Sequence, residues 1–342
     1  MTPKIYFQTS FWEELKKDST PEGFRTLLSV YDALLGSAVV TDVTEEYLNS
    51  EENELLKKWY KHSISHNDVE LCEPKYFDSI FDGIDSSAPA EQLSATYLLL
   101  DKVKDKDDKR CDGYSNLYGI CALSAKGLSK KKYLFKGDGF SLTKDTTHEK
   151  KYKEFENKLN HPCNSMIVID PYLLTDKRNI ESNLRNLLDT VLPLPEHKFK
   201  PQFHLSIISI LGNPGKGIKY DPQKIYDQIE SIIKQLRPEL NFSLGVLYIY
   251  KGGDFHRRLV LTNTWVADFA DGTDLFDEKG IAKKNTTVDV VYPRLIGDDR
   301  QDLSKYEQWI RIAKEEYKKV GENRKDDCKG FKENRLFDLV KD

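Results

Sequence analysis

Residues Asp254 to Phe276 read DFHRRLVLTNTWVADFADGTDLF. Two short runs, roughly 257 to 262 and 264 to 270, follow one another with only a brief link between them. Alternation at period two puts Leu259 and Leu261 on one face with Arg257, and His256, Arg258, Val260 and Thr262 on the other. The polar members fall as His256, one residue, Arg258, four residues, Asn263. Paired strands carrying a polar cluster on one side are expected.

Working outward toward the amino terminus, SMIVID (165–170) is an apolar strand ending in Asp170, and a helix is predicted from about Ile180 to Val191. FHLSIISIL (203–211) is the next strand. The loop GNPGKG follows, then a helix from Pro222 to Leu236 with Ile225, Ile229, Ile232 and Ile233 on its apolar side, then a strand from Phe242 to Tyr250. This βαβαβ order predicts a largely parallel sheet with helices packed on it. Lys251-Gly252-Gly253-Asp254 is short enough for a hairpin, which places an antiparallel strand at or near one end of that sheet. Asp170 stands at the carboxyl end of a parallel strand, where open α/β sheets bind ligands; capping its own loop, DPYLLTD, is an equal alternative. Gly212, Gly215 and Gly217 do not have phosphate-loop spacing and read as a flexible loop. His204, between Phe203 and Leu205, reads as a half-buried structural imidazole.

The first half has its own rhythm. Strand Ile5–Gln8, a helix from about Phe11, a helix from Pro21 to Leu35 ended by Gly36, strand Ala38–Thr41 and an acidic helix opened by Thr44 make a small α/β unit. Its opening resembles PIN-type nucleases, with Gln8 where their first strand delivers a metal-binding Asp. His62 and His66 share a helical face at metal-ligand spacing, but no Glu joins them in an H-E-x-x-H pattern and a helix end is the simpler reading. KVKDKDDKR (102–110) reads as solvated surface, NLYGICALS (116–124) as a buried strand, and Lys132 to Leu142 as a hairpin about Gly137-Asp138-Gly139. Lys130 to Lys132 form a basic cluster of ordinary surface type. A charged helix spans Glu149 to Leu159, and Asn160-His161-Pro162 breaks the chain. The expected division is 1–160, an amino-terminal α/β domain, and 161–342.

Downstream, TVDVVY (287–292) is one more strand. A helix from Leu303 to Val320 carries Tyr306, Trp309, Ile310, Ala313 and Tyr317 at helical spacing and docks by an aromatic face. The charged tail ends with Leu336, Phe337, Leu339 and Val340, a patch that fits either its own domain or a protein partner. With 52 Lys+Arg against 56 Asp+Glu and a net charge of −4, nothing draws the whole molecule to nucleic acid or membrane, which leaves local basic patches. Five scattered cysteines without a C-x-x-C pair argue against a disulfide framework or zinc ribbon. No apolar run reaches membrane-spanning length. MTPKIYFQTSFWEELKKD reads as strand and helix instead of a signal peptide, and a cytoplasmic location is expected.

His256-x-Arg258-x4-Asn263 resembles the H-x-K-x4-D signature of the phospholipase D superfamily. It is closer still to the phospholipase D-like C-terminal domain of microtubule-interacting-and-transport proteins, through Thr262-Asn263-Thr264-Trp265 and Gly272-Thr273-Asp274-Leu275-Phe276. The likeness covers Ser165 to Phe276 and concentrates in its last 23 residues. It implies a phospholipase D-like α/β sandwich with a mixed, mainly parallel sheet in 161–342. In active members two motifs meet: one His attacks phosphorus, the other protonates the leaving oxygen, and the lysines hold phosphoryl oxygens. By that resemblance His256, Arg258 and Asn263 are the catalytic candidates. Arg258 and Arg257 are the phosphate ligands, and Asp170, Trp265 and Asp274 support them, with no metal or cofactor. Arg258 replaces the lysine as a permanent, bidentate phosphate clamp. Asn263 replaces the Asp, as in tyrosyl-DNA phosphodiesterases. The chain contains no second complete H-x-K-x4-D or H-x-R-x4-N motif, so by that resemblance catalysis requires a homodimer.

Two functions follow. In one, the protein is a phosphate- or polyanion-binding phospholipase D-like module, an accessory or assembly protein suited to a microbial nucleic-acid defence or repair system. In the other, it is a homodimeric phosphodiesterase or nuclease using His256 and Arg258 from each chain through a phosphohistidine. The plainer alternative is that His256, Arg258 and Asn263 are an internal polar network tying a hairpin to its sheet. The expected partners are a second copy of the chain, nucleic acid or a phosphorylated ligand, and a protein at the tail.

Overall fold

Ile5 and Phe7 point one way from the first strand and Tyr6 the other, and both sides are buried, so this strand lies between two layers. The computed structural model describes residues 4–50, 53–77, 97–100, 107–131, 138–143, 159, 161–176, 180–211, 220–249, 258–270, 285–292, 300–323 and 328–340. Strands β1 (Lys4–Phe7), β2 (Ala38–Thr41), β3 (Val69–Leu71), β4 (Tyr97–Leu99) and β5 (Cys121–Leu123) form an all-parallel sheet in the order β3-β2-β1-β4-β5. Ile5, Phe7 and Val39 meet helices α1 (Thr9–Lys16), α2 (Pro21–Leu35) and α4 (Glu54–Ser65) through Phe11, Trp12, Val30 and Trp59. Tyr6 and Val40 meet Cys111, Tyr114 and Tyr118 of α5 (Asp107–Tyr118) on the other side. Between them, α3 (Glu45–Leu48) is a single turn capped by Thr44, whose side chain accepts from the Tyr47 N–H. After β5, α6 (Ala125–Lys130) starts at Ser124, which caps it in the same way.

Several helix limits follow from local chemistry. Thr20 accepts from the Gly23 N–H and Pro21 takes the first helical position, which starts α2, and Gly36 ends it. The expected strand at 116–124 is a correction. Asn116 to Tyr118 are the last turn of α5, and Gly119, at φ +65°, reverses the chain so that only Cys121 to Leu123 enter the sheet. The charge run at 102–110 feeds this helix, which begins at Asp107.

The second sheet runs β13-β9-β8-β7-β10-β11-β12-β6. Its strands are β6 (Asp138–Leu142), β7 (Ser165–Ile169), β8 (Phe203–Ile210), β9 (Phe242–Ile249), β10 (Leu259–Thr262), β11 (Val266–Phe269), β12 (Thr286–Val291) and β13 (Cys328–Gly330). The fold is α/β with a mixed sheet, as expected, but the sheet is not the mainly parallel one expected, since most of its described pairings are antiparallel. Its parallel part is β7-β8-β9, and the remaining described pairings are antiparallel. β10 does not form the expected hairpin with β9. It lies antiparallel to β7, two strands farther along, with Leu259 opposite Ile169 and Thr262 opposite Met166. A link of this length in sequence permits a hairpin without enforcing one, and here β13 takes the free side of β9.

Alternation on β10 places Val260 in one core and Leu259 and Leu261 in the other. On the Val260 side lie a π turn at Ile180–Leu184 continuing into α7 (Arg185–Val191), and α8 (Pro222–Leu236), which buries Ile225, Ile229, Ile232 and Ile233. On the other side α9 (Arg300–Asn323) packs Tyr306, Ile310, Ala313 and Tyr317. A 3-10 turn, Arg335–Leu339, joins it, and Leu336, Phe337, Leu339 and Val340 are buried there. Of the two readings of the tail patch, own domain or protein partner, the burial of these residues matches the first, since they are spent on the chain's own core. β6 pairs with β12, so sheet membership does not follow a break at 160. No described helix is long and apolar enough to cross a membrane.

Candidate functional site

β10 has a different polar residue at each end, and the strand separates them. Because β10 is antiparallel to β7, Arg258 arrives level with Asp170, at the carboxyl edge of the parallel strands. Asn263 emerges at the amino edge, roughly 16 Å away for five residues of extended chain. The structure therefore brings Arg258 together with Asp170 and does not bring Asn263 to them. His256, Arg257 and Asp274 lie outside the described residues, as do the glycines at 212, 215 and 217 and most of the expected helix at 149–159.

At the carboxyl edge the Arg258 guanidinium carbon lies 5.3 Å from the centroid of the Tyr172 ring, a cation–π arrangement. One guanidinium nitrogen donates to the Ala270 carbonyl at 3.4 Å, a long bond. The Arg258 backbone is fixed more firmly: its carbonyl accepts from the Phe269 N–H at 2.8 Å. Asp170 is buried and accepts from the Tyr172 N–H at 2.8 Å. Its side chain thus turns the chain so that the Tyr172 ring, 53% exposed, stands beside Arg258. Both readings of Asp170 meet here, since the loop it caps builds this edge. Tyr172 was not singled out from sequence; an aromatic two residues past a strand-ending Asp was the available signal.

At the amino edge Asn263 is buried, and its amide is occupied by backbone. Its Oδ1 accepts from the Asn164 N–H at 2.9 Å and its Nδ2 donates to the Gly119 carbonyl at 2.9 Å. These partners are main-chain groups of both halves of the protein, so the amide acts as a tether. Thr262 shapes the turn that holds it, donating to the Trp265 carbonyl at 2.8 Å and accepting from the Trp265 N–H at 2.9 Å. Trp265 itself is fully buried in the core shared with Val260 and Ala267.

Other sequence candidates fall into place as structure. His66 Nδ1 lies 2.8 Å from the His62 carbonyl at the end of α4, and the described residues contain no grouping of three or more metal-ligating side chains. Lys131, of the basic cluster, pairs with Asp112 at 2.8 Å. Gln8, at the carboxyl end of β1, is buried and donates its backbone N–H to the Leu99 carbonyl at 2.9 Å. His204 accepts the Arg335 N–H on Nδ1 at 3.1 Å, and burial, with the Arg335 charge beside it, pushes its pKa down to about 4. Burial also raises the thiols of Cys121 and Cys163 to about 12, which removes them as nucleophiles near neutral pH.

No protein-family model matches the chain, and no curated protein sequence does. Among solved structures it is similar to the phosphatidylserine synthase of Haemophilus influenzae Rd KW20, at a TM-score of 0.31 and 10% identity, over 92% of this chain and 86% of that one.

Proposed function

We propose that this chain is a phosphate- or polyanion-binding module of phospholipase D-like type, acting as an accessory or assembly protein, with Arg258 as its anion ligand. The observation that carries the reading is the place of Arg258. It stands at the carboxyl edge of β7-β8-β9, on the exposed Tyr172 ring, with its backbone carbonyl bonded to the Phe269 N–H of β11. Ligands of open α/β sheets bind at this edge, and a guanidinium meets two phosphate oxygens at once. Tyr172 limits the motion of the guanidinium and offers a face on which a base or sugar stacks.

Fluorescence anisotropy with a labelled single-stranded oligonucleotide tests it. Arg258→Ala weakens binding about tenfold, the loss expected for a charge-assisted contact, and flattens the dependence on salt. His256→Ala leaves the affinity unchanged. Equal affinity for Arg258→Ala and wild type sinks the proposal. Turnover of a phosphodiester that His256→Ala abolishes replaces it with the phosphodiesterase reading.

A further inference from the structure

The amino edge of the second sheet, opposite Arg258, holds a cleft of about 440 Å³ between α9, the tail and the start of β8. Four cations line it: Lys314 and Lys318, one turn apart on α9, and Lys332 and Arg335 of the tail. Glu333 and Asp338 are its carboxylates, so the cations outnumber them two to one. We propose that this cleft binds a phosphorylated small molecule of about nucleotide size.

Arg335 carries the argument furthest. Its guanidinium is half-buried, and its hydrogen bonds go to neutral groups: the Asn164 carbonyl at 3.2 Å, the Asn164 Oδ1 at 2.9 Å and the Gln202 carbonyl at 3.3 Å. Asp338 acts on it through space, and burial still lowers its pKa. A cation held in place by carbonyls, with its charge incompletely offset, is pre-organised for an anion. His204, on the cleft wall, is uncharged near neutral pH and adds no competing cation. Lys314 is braced by a bond to the Val340 carbonyl at 3.2 Å, and Lys318 and Lys332 are exposed at the mouth.

The rest of the lining says what accompanies the phosphate. Phe337 forms part of the wall; Phe331, 40% exposed, stands just outside the lining, edge-on to the cleft's His204 with ring centroids 5.9 Å apart. Apolar rings beside a cationic floor suit a ligand with one anionic and one flat apolar end, and the volume lies within the range of small-molecule sites.

Isothermal titration calorimetry on the full chain tests this with ATP, inorganic tripolyphosphate and adenosine as probes. ATP and tripolyphosphate bind, ATP more tightly, and adenosine binds weakest. The double reversal Lys318→Glu with Lys332→Glu changes exposed side chains, keeps the far-ultraviolet circular dichroism of wild type, and weakens ATP binding at least about tenfold. The cleft proposal fails if neither ATP nor tripolyphosphate binds, if adenosine binds as tightly as ATP, or if the folded double variant binds ATP as wild type does. Arg258→Ala is titrated in parallel. Loss of oligonucleotide affinity with ATP binding retained identifies two independent sites, so either proposal can fail alone.

Discussion

The amide of Asn263 joins main-chain groups that lie 99 and 144 positions away in the chain, at Asn164 and Gly119. Asn263→Ala leaves both unpaired in a buried place, at a cost of about 2–4 kcal/mol by the usual penalty for such groups. Asn263→Asp, which restores the residue of the phospholipase D signature, is expected to be no better. One carboxylate oxygen still accepts from Asn164, but the other faces the Gly119 carbonyl and brings a charge into the core. Urea denaturation of the two variants checks this, and an Asp variant as stable as wild type removes the tether. Sequence showed the residue and its spacing but not this use, because both partners are backbone atoms from remote segments. His204 sets a pH dependence. Its folded pKa, about 4, lies below its ordinary 6.5, so between those values the unfolded chain holds the proton that the folded chain refuses. Stability therefore falls as pH drops through that window and levels off below it. The urea midpoint should fall from pH 7 to 4.5 less steeply in His204→Gln than in wild type; identical slopes refute it.

Elements with a complete local signal were legible in the sequence, and those defined by tertiary choice were not. α2 and α8 begin and end at the predicted residues because each combines a polar cap, a proline in the first turn and an apolar stripe. Between Asn116 and Ser124 the run has no charged or strongly polar residue, so neither period shows, and a helix end, a glycine reversal and a three-residue strand merged into one apparent strand. The neighbour of β10 is likewise a competition between sheet positions, which no turn motif records. The tail stood between two readings for the same reason: an apolar patch does not state what it covers. Here it closes the face formed by Ile167, Ile208, Leu247 and Leu261. Leu336 is fully buried in that face, so Leu336→Ala should cost about 2–4 kcal/mol. The same change at Phe331, on the surface, should cost far less. Thermal melts of the pair decide whether the tail is part of the core or only rests on it.

Across the whole molecule, the two sheets are not two independent cores. One continuous apolar cluster contains Phe7 and Trp59 of the first sheet's surroundings together with Val168, Leu205, Val260 and Trp265 of the second. Main-chain contacts reinforce it. The Lys200 N–H donates to the Leu117 carbonyl at 3.0 Å, and the Asn164 side chain donates to the Tyr118 carbonyl at 3.2 Å. Gly119 sits at the centre of this seam with φ +65°, and a Cβ there would overlap the Cys163 carbonyl. Glycine is required twice over, for its backbone angle and for the close approach. A shared core and a rigid seam predict that the halves unfold together. Trp59 and Trp265, both fully buried, report on the two sides separately. In fluorine-labelled tryptophan spectra their native signals should disappear at one urea concentration. Gly119→Ala should move both midpoints down together, by at least the 1–2 kcal/mol, roughly, that a left-handed backbone costs a residue with a Cβ. A variant in which the Trp265 signal persists after the Trp59 signal has gone would show two autonomous domains joined by a removable contact.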